Sequence, residues 1–455
     1  MSHNEIFDVI VVGAGPAGLS VASELSESLK VLIIDGKKEL SDTTKSWFIP
    51  SFLLDNIPEL QQFAYNGVKR YITDTFGGEN TVWNAQLNGG YTYIKEHEIL
   101  TYWGQKVKEH NSTVILDCLL LDHEVSNSFV TISTSKGNYK GKLLIDASGH
   151  DSMIGKKYEL KNNYYWWSIY GCIAEHPEGL GDMKVGDYMF WGTYKDTNLN
   201  PNTALRYGRP VFEYEILTEN TSFPLILYLM KEKVPQDVME KQFAHILHNE
   251  QSTEAFHNVN IKELKYGWYP SGNLSQKIAE NRVVFIGDAG CWTTPCGWGF
   301  GFILKNYHTY AQHIIQAIQK NTLDKESLES IIKLKVHEKH EILMNSLATH
   351  FLSNASTNQL DRFIEFFNKT NTLWCEKMFT LTITHKDLSK LFREFVKHFK
   401  ISELVHIIPK EDIPLILEEA WYFTKDWIIE KFQSVISKFK KDKSDSSTQN
   451  GFDFD

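Results

Sequence analysis

Arginine is scarce in this chain. Of its 47 cationic residues only six are Arg (Arg70, Arg206, Arg209, Arg282, Arg362 and Arg393), and the 455 residues carry a net charge of −10. Sequence-independent binding to nucleic acid needs clustered cations to neutralise phosphates, and there is no basic stripe, so nucleic acid is excluded as a partner. Cysteine is also sparse. Five residues (Cys118, Cys172, Cys291, Cys296, Cys375) make no disulfide framework. Cys291 and Cys296 lack the C-x-x-C spacing of a redox pair, and two buried thiols are expected there. No run approaches the ~20 apolar residues that span a bilayer. Met1 to Glu5 lead straight into an apolar strand pattern, without a charged-then-apolar leader. His337 and His340 lie three apart on a helical stretch with no third ligand in view, so no metal is expected. These absences give the expectation of a soluble protein of a reducing compartment, with the cytoplasm as default.

Aromatic residues, by contrast, are plentiful: 12 Trp, 20 Tyr and 27 Phe, or 13% of the chain. Such a content implies a large core, a flat or greasy ligand to enclose, or both.

Residues 6–12 are apolar and β-branched, as in a strand buried on both faces. Gly13-Ala14-Gly15-Pro16-Ala17-Gly18 follows and opens a helix, and Val31 to Ile34 forms a second buried strand ending at Asp35. In this setting Gly13 permits the tight turn, Gly15 lets backbone approach a pyrophosphate, and Gly18 allows helix and strand to pack closely. The helix start then offers its unpaired N–H groups and positive dipole end to phosphate. Asp35 is placed to accept from ribose hydroxyls. A strand–glycine turn–helix–strand unit with its acid points to dinucleotide binding.

A second buried strand–turn, Val283 to Ile286 followed by Gly287-Asp288-Ala289-Gly290, lies far along the chain. It resembles the second FAD motif of flavoproteins, in which the Asp takes a hydroxyl of the flavin-side linker. Asp146-Ala147-Ser148-Gly149 resembles the third element, a strand-end turn passing near the cofactor. The resemblance implies FAD. It also implies that Gly297-Trp298-Gly299, opening a helix over 302–319, faces the flavin pyrimidine edge.

The order of these motifs with Trp167-Ser168-Ile169-Tyr170-Gly171-Cys172-Ile173-Ala174-Glu175 and Asp187-Tyr188-Met189-Phe190-Trp191 resembles the lycopene cyclase family. Pro210-Val211-Phe212-Glu213-Tyr214 and the strand 223–230 continue the likeness, which covers roughly residues 6–320. The wider clan includes geranylgeranyl reductases, flavin-dependent halogenases and aromatic hydroxylases. The likeness implies an α/β fold: a Rossmann-like FAD-binding domain, an interleaved antiparallel-sheet substrate domain and a helical C-terminal region. The expected division is FAD-binding over 1–90, 91–150 and 271–322, the antiparallel-sheet domain over 151–270, a helical cap over 323–440, and a disordered tail over 441–455.

One departure from the family bears on chemistry. Lycopene cyclases carry paired Glu residues on the strand that here reads Leu225-Ile226-Leu227-Tyr228-Leu229-Met230, with no carboxylate. Protonating a polyene needs a positioned acid. The nearest substitutes, Glu213 and Glu215, share a strand face, although a solvated strand residue is the more ordinary role of either. Glu215 is the candidate catalytic acid. Trp47, Trp166, Trp167, Trp191 and Tyr214 are the candidate walls of a pocket for a small hydrophobic substrate.

The expected function is an FAD-dependent oxidoreductase or monooxygenase acting on an apolar or aromatic substrate, an isoprenoid among the candidates. One alternative is a non-redox cyclase or isomerase that uses reduced FAD. Another is a flavin-dependent halogenase, because Tyr165 to Tyr170 partly matches a W-x-W-x-I-P pattern. No second G-x-G-x-x-G follows a strand, so NAD(P)H as reductant binds without its own Rossmann unit, or a partner flavin reductase delivers electrons. An apolar stripe from Trp427 to Phe439, edged by Lys431, Lys438, Lys440 and Lys441, either packs on the protein itself or rests on a membrane surface.

Overall fold

The β-branched run at the N-terminus becomes β1 (Ile6–Val12), followed by α1 (Pro16–Ser26) and β2 (Val31–Ile34). The computed structural model describes residues 5–73, 83–110, 112–160, 164–181, 183–192, 210–249, 251–272, 278–290, 292–293, 299–333, 339–354, 359, 362–363, 365–366 and 384–399. Beyond β2 come β3 (Ser46–Pro50), β4 (Ala64–Thr73), β5 (Trp83–Lys95) and α2 (Glu96–Glu109). Then follow β6 (Thr113–Ile115), β7 (Leu120–Val125), β8 (Val130–Thr134), β9 (Gly137–Asp146) and α3 (Met153–Lys157). The aromatic-rich stretch folds as β10 (Tyr164–Glu175), β11 (Asp187–Gly192), β12 (Val211–Thr218) and β13 (Thr221–Met230), then α4 (Gln236–Asn249) and β14 (Asn260–Gly272). The chain continues through β15 (Ala279–Glu280), β16 (Val283–Phe285) and α5 (Gly299–Lys320). Three more described helices follow: α6 (Lys325–Lys333), α7 (Lys339–Asn354) and α8 (His385–His398).

Two sheets result among the described residues. The first runs β15-β16-β9-β1-β2-β6, with the β7–β8 hairpin added on β9. Its central strands β16, β9, β1, β2 and β6 pair in parallel, which requires cover on both faces. Accordingly Val9 to Val11 and Val31 to Ile34 are fully buried, with α1, α2 and α5 contributing to the core on one side. The second sheet runs β14-β10-β13-β12-β11-β4-β5-β3 and is mainly antiparallel, β11 pairing with β4 in parallel.

The α/β class with an interleaved antiparallel sheet is as expected, but one boundary moves. Residues 46–95, assigned by sequence to the nucleotide-binding unit, supply β3, β4 and β5 to the second sheet. The pairing that ties this group of strands to the second sheet, β4 with β11, joins Arg70 to Asp187 more than a hundred residues downstream, so local pattern alone did not reveal the exchange. The tail 441–455 and the stripe from Trp427 to Phe439 lie outside the described residues, as do Cys291 and Cys296. No described helix is long and apolar enough to cross a membrane.

The second sheet has two distinct faces. Side chains alternate along a strand, so Phe212, Tyr214 and Ile216 point one way. They pack with Tyr170, Ile226 and Tyr228 under Phe243, Ile246 and Phe256, which places this face beneath α4 and the turn after it. Glu213, Glu215, Leu225, Leu227 and Trp167 point the other way. We call this second face the acid face.

Candidate functional site

Gly13 adopts φ +109°, and a Cβ built on it would overlap the carbonyl oxygen of Ala147. A Cβ on Gly18 would overlap the Gly13 carbonyl oxygen. These two glycines are therefore consumed by packing of the first helix and the Asp146-Ala147-Ser148-Gly149 turn. Gly15 is different. A Cβ there meets nothing within 4 Å, and no side chain caps α1, whose first turn carries no acidic residue. An open, uncapped, dipole-positive helix start is what a phosphate requires. Pro16 at the first position costs no hydrogen bond, because its missing N–H would be unpaired anyway.

Asp35 closes the turn. Its Oδ2 accepts from Ala14 N at 2.6 Å and its Oδ1 from Lys37 N at 2.7 Å. Asp146, fully buried, accepts from Ser148 N at 3.1 Å, Ser148 Oγ at 2.6 Å and the Ser152 hydroxyl. This fixes the turn that carries Gly149, at φ +89° with open space where a Cβ would stand. Gly287, at φ +60°, brings the second motif against the fingerprint helix: a Cβ on it would lie 2.7 Å from Ala17 Cβ. Asp288 beside it is pushed up to about 6 by burial, opposed by the charge of Lys45. The fingerprint and the two later turns thus converge at one helix start. Gly299 opens α5, and Phe300 one residue on stacks on Trp47 with centroids 5.3 Å apart. The buried Trp47 Nε1 donor has no hydrogen-bond partner among the described residues. Gly297 and Trp298 lie outside the described residues.

A solvated strand position is the more ordinary expectation for Glu213 and Glu215; the structure buries Glu215 and half-buries Glu213. Glu215 is 1% exposed and accepts from the Tyr93 hydroxyl; Glu213 accepts from the Tyr188 hydroxyl. β12 is an interior strand of the second sheet, so Tyr93 of β5 and Tyr188 of β11 bring their hydroxyls to the two carboxyls. Desolvation disfavours the charged form. It pushes the Glu215 carboxyl up to about 8 and that of Glu213 up to about 7, in each case against the phenol hydrogen bond. Phe48 of β3 stacks on Tyr188 at 5.6 Å and on Tyr91 at 4.7 Å, and meets Tyr93 at 5.1 Å. On the opposite side of β3, Trp47 meets Phe300. A single strand therefore joins the acid pair to the nucleotide unit.

The remaining candidates separate. Tyr214 turns away from Glu215 and packs on Phe256 at 4.9 Å, so it does not share the acid face. Trp166 and Trp167 are consecutive in β10 and point to opposite faces. Trp167, on the acid face, stacks on Tyr269 at 6.2 Å, while Trp166 takes His150 edge-on at 4.8 Å. The Trp191 backbone, in β11, pairs with Phe212 of β12; its side chain is outside the described set. Tyr93, Tyr188 and Phe48 were missed by sequence reasoning. Their one local signal is aromatic alternation at Tyr91 and Tyr93, which by itself reads as core.

A glycine-fingerprint parallel sheet with a second, aromatic-faced antiparallel sheet defines a two-sheet dinucleotide-binding protein of flavoprotein type. The chain belongs to the lycopene cyclase protein family, whose model matches residues 8–404. It is 26% identical over 332 residues to lycopene beta cyclase of Capsicum annuum, covering 69% of this chain and 62% of that protein. The chain thus aligns with less than two thirds of that relative's length. Among solved structures, the fold matches a geranylgeranyl bacteriochlorophyll reductase-like protein of Thermoplasma acidophilum. That match has TM-score 0.68, 16% identity, and covers 89% of this chain and all of the other. A mutant form of the halogenase PltM, solved in complex with FAD, has TM-score 0.56 and 11% identity, covering 86% of this chain and 96% of that one.

Proposed function

We propose that this protein is an FAD-dependent oxidoreductase acting on a long apolar substrate of isoprenoid type, with Glu215 as its proton donor. The observation that carries this reading is the Glu213–Glu215 pair, Glu215 buried and Glu213 half-buried, each held by a phenol on the face of the sheet that β3 links to the nucleotide cradle. The cradle fits FAD. Gly15 leaves room for the pyrophosphate, Asp35 closes the fingerprint turn, Asp288 follows the Gly287 that abuts the fingerprint helix, and Trp47 offers an indole N–H without a partner among the described residues. When bound, FAD supplies the redox chemistry, and the protein supplies orientation and electrostatics.

The chain's own part is proton management. A carboxyl pushed up to about 8 is protonated at neutral pH, so Glu215 can hand its proton to an unsaturated carbon. Glu213, closer to neutrality at about 7, is the better acceptor for a proton leaving the substrate. Phe48, Tyr93 and Tyr188 place aromatic faces beside the pair, where they favour positive charge developing in the substrate. NAD(P)H or a partner flavin reductase provides electrons. The stripe from Trp427 to Phe439 would help collect a lipid-soluble substrate at a membrane surface.

The acid pair also favours a second reading, a non-redox cyclase or isomerase that needs the proton donor but no net electrons. Anaerobic mixing with NADPH, with and without an isoprenoid substrate, separates the two. Flavin bleaching and NADPH loss matched to product are expected. Product formed without net NADPH consumption would establish the isomerase instead, and release of no FAD on denaturation would overturn both.

A further inference from the structure

The cover that α4 lays over the second sheet stops one strand short of its edge. On β10, Tyr170, Cys172 and Ala174 are almost wholly buried, Tyr170 against Phe243 of α4. Their partners in register on β14 are Tyr266, Leu264 and Ile261. These three are 55%, 52% and 48% exposed, among the most exposed large apolar side chains of the described residues. β14 ends the sheet order, and no described strand pairs along its outer side. Such an edge presents a row of unpaired N–H and C=O groups to any other strand. The opening is confined to the first half of the strand. Further along, Trp268 donates to the Val234 carbonyl oxygen at 2.9 Å, and the buried Ser271 hydroxyl meets Thr349 Oγ1 of α7 at 3.3 Å.

Edge strands are commonly blunted by charge of one sign, which keeps other strands away. Here the charges alternate: Glu263 and Lys265 flank Leu264 and pair with each other at 2.5 Å along the strand. Alternation makes the edge complementary to itself in one register. Residues directly opposite each other in an antiparallel pair share a face, and unlike charges there are favourable. A two-fold axis through Glu263 or Lys265 would bring like charges together at the centre. An axis through Tyr266 would set Lys265 against Gly267 and Glu263 against Tyr269, leaving both charges unmatched. Through Leu264, each Glu263 stands opposite Lys265 of the second copy and the two leucines meet. The four charges then alternate in sign around the axis.

We propose that the β14 edge is the contact between two copies of this chain, paired antiparallel about Leu264 so that their two eight-stranded sheets run on as one. Leu264 and Tyr266 of both copies then lie on one face of the joined sheet, and the Glu263–Lys265 pairs interlock on the other. A contact of this isologous kind closes on itself and stops at a dimer. An ion pair on an exposed edge adds little to the fold, so these charges set register and partner. Nothing in this pairing depends on the reaction proposed above, since β12, which carries the acid pair, lies three strands away in the sheet.

Sedimentation velocity of the FAD-loaded full chain over a micromolar concentration series tests the pairing, and a monomer–dimer equilibrium is expected. Glu263→Lys and Lys265→Glu, each alone, gather four like charges about the axis and should weaken the dimer at least tenfold. Both should keep the parent's FAD content and thermal midpoint, because the two positions lie on the open edge. The two single variants mixed in equal amounts should dimerise again, since every pair across the axis is then unlike in sign. The exchanged double variant Glu263→Lys/Lys265→Glu should dimerise as the parent does, and Leu264→Asp, which sets two carboxylates on the axis, should be monomeric. A parent that is monomeric throughout would overturn the proposal and leave the edge to a strand of another protein. So would a dimer that both single reversals leave intact, or single variants whose mixture stays monomeric.

Discussion

Replacing Glu215 with Gln should change how stability depends on pH, and the structure sets the sign and the size. In the fold, burial raises this carboxyl from its ordinary 4.5 to about 8. Between those values the folded protein keeps a proton that the unfolded chain has released. Stability therefore falls as pH rises through this window, and the cost is complete above it. At ~1.4 kcal/mol per pH unit, forcing the carboxyl to ionise inside the fold costs about 4–5 kcal/mol. Gln has the shape of the protonated acid and loses no proton. Parent and variant should accordingly lie within about 1 kcal/mol of each other at pH 5, a modest difference for a near-isosteric change. By pH 9 the variant should be the more stable by several kcal/mol. Denaturant unfolding across pH 5 to 9 measures this directly through the midpoints. Parallel curves for the two proteins would show that Glu215 is ionised and solvated in the fold, and the acid role assigned to it would fall.

Three further outcomes follow from the cradle and the acid face. Gly15→Val should fold normally yet retain no FAD on purification, because its side chain enters space that is open only without phosphate, whereas Gly18→Val should lose stability by about 1–3 kcal/mol or more from overpacking; equal behaviour of the two would contradict the division of labour between these glycines. Asp288→Ala removes a charge-assisted hydrogen bond worth about 1.5–3 kcal/mol, so FAD affinity should drop roughly ten- to a hundredfold, and an unchanged dissociation constant would leave Gly287-Asp288 as a turn only. Lycopene in detergent with reduced FAD should not be converted, since Leu225 to Met230 carries no carboxylate where lycopene cyclases have their paired Glu; cyclisation by the parent that disappears in Glu215→Gln would replace the redox assignment.

Short-range pattern in the sequence was enough to determine the nucleotide half of this protein. A β-branched run, a glycine turn, a helix and a second strand ending at Asp35 lie within one local unit, and its spacing already assigns the glycines to a nucleotide turn. Even so, tertiary structure separated the glycines that serve packing, Gly13 and Gly18, from Gly15, which leaves room for a ligand. The aromatic half could not be read in this way. How far Glu213 and Glu215 are shielded depends on the aromatic side chains that β3 and β5, from the other end of the chain, bring beside them. Alternation along β12 correctly set the two acids on one face and Tyr214 on the other, but gave no sign of which face would be covered. Tyr93 reaches Glu215 only through long-range pairing, whereas Tyr188 comes from the adjacent strand β11. Burial of a charge is a property of everything packed around it, and no window of sequence contains those neighbours.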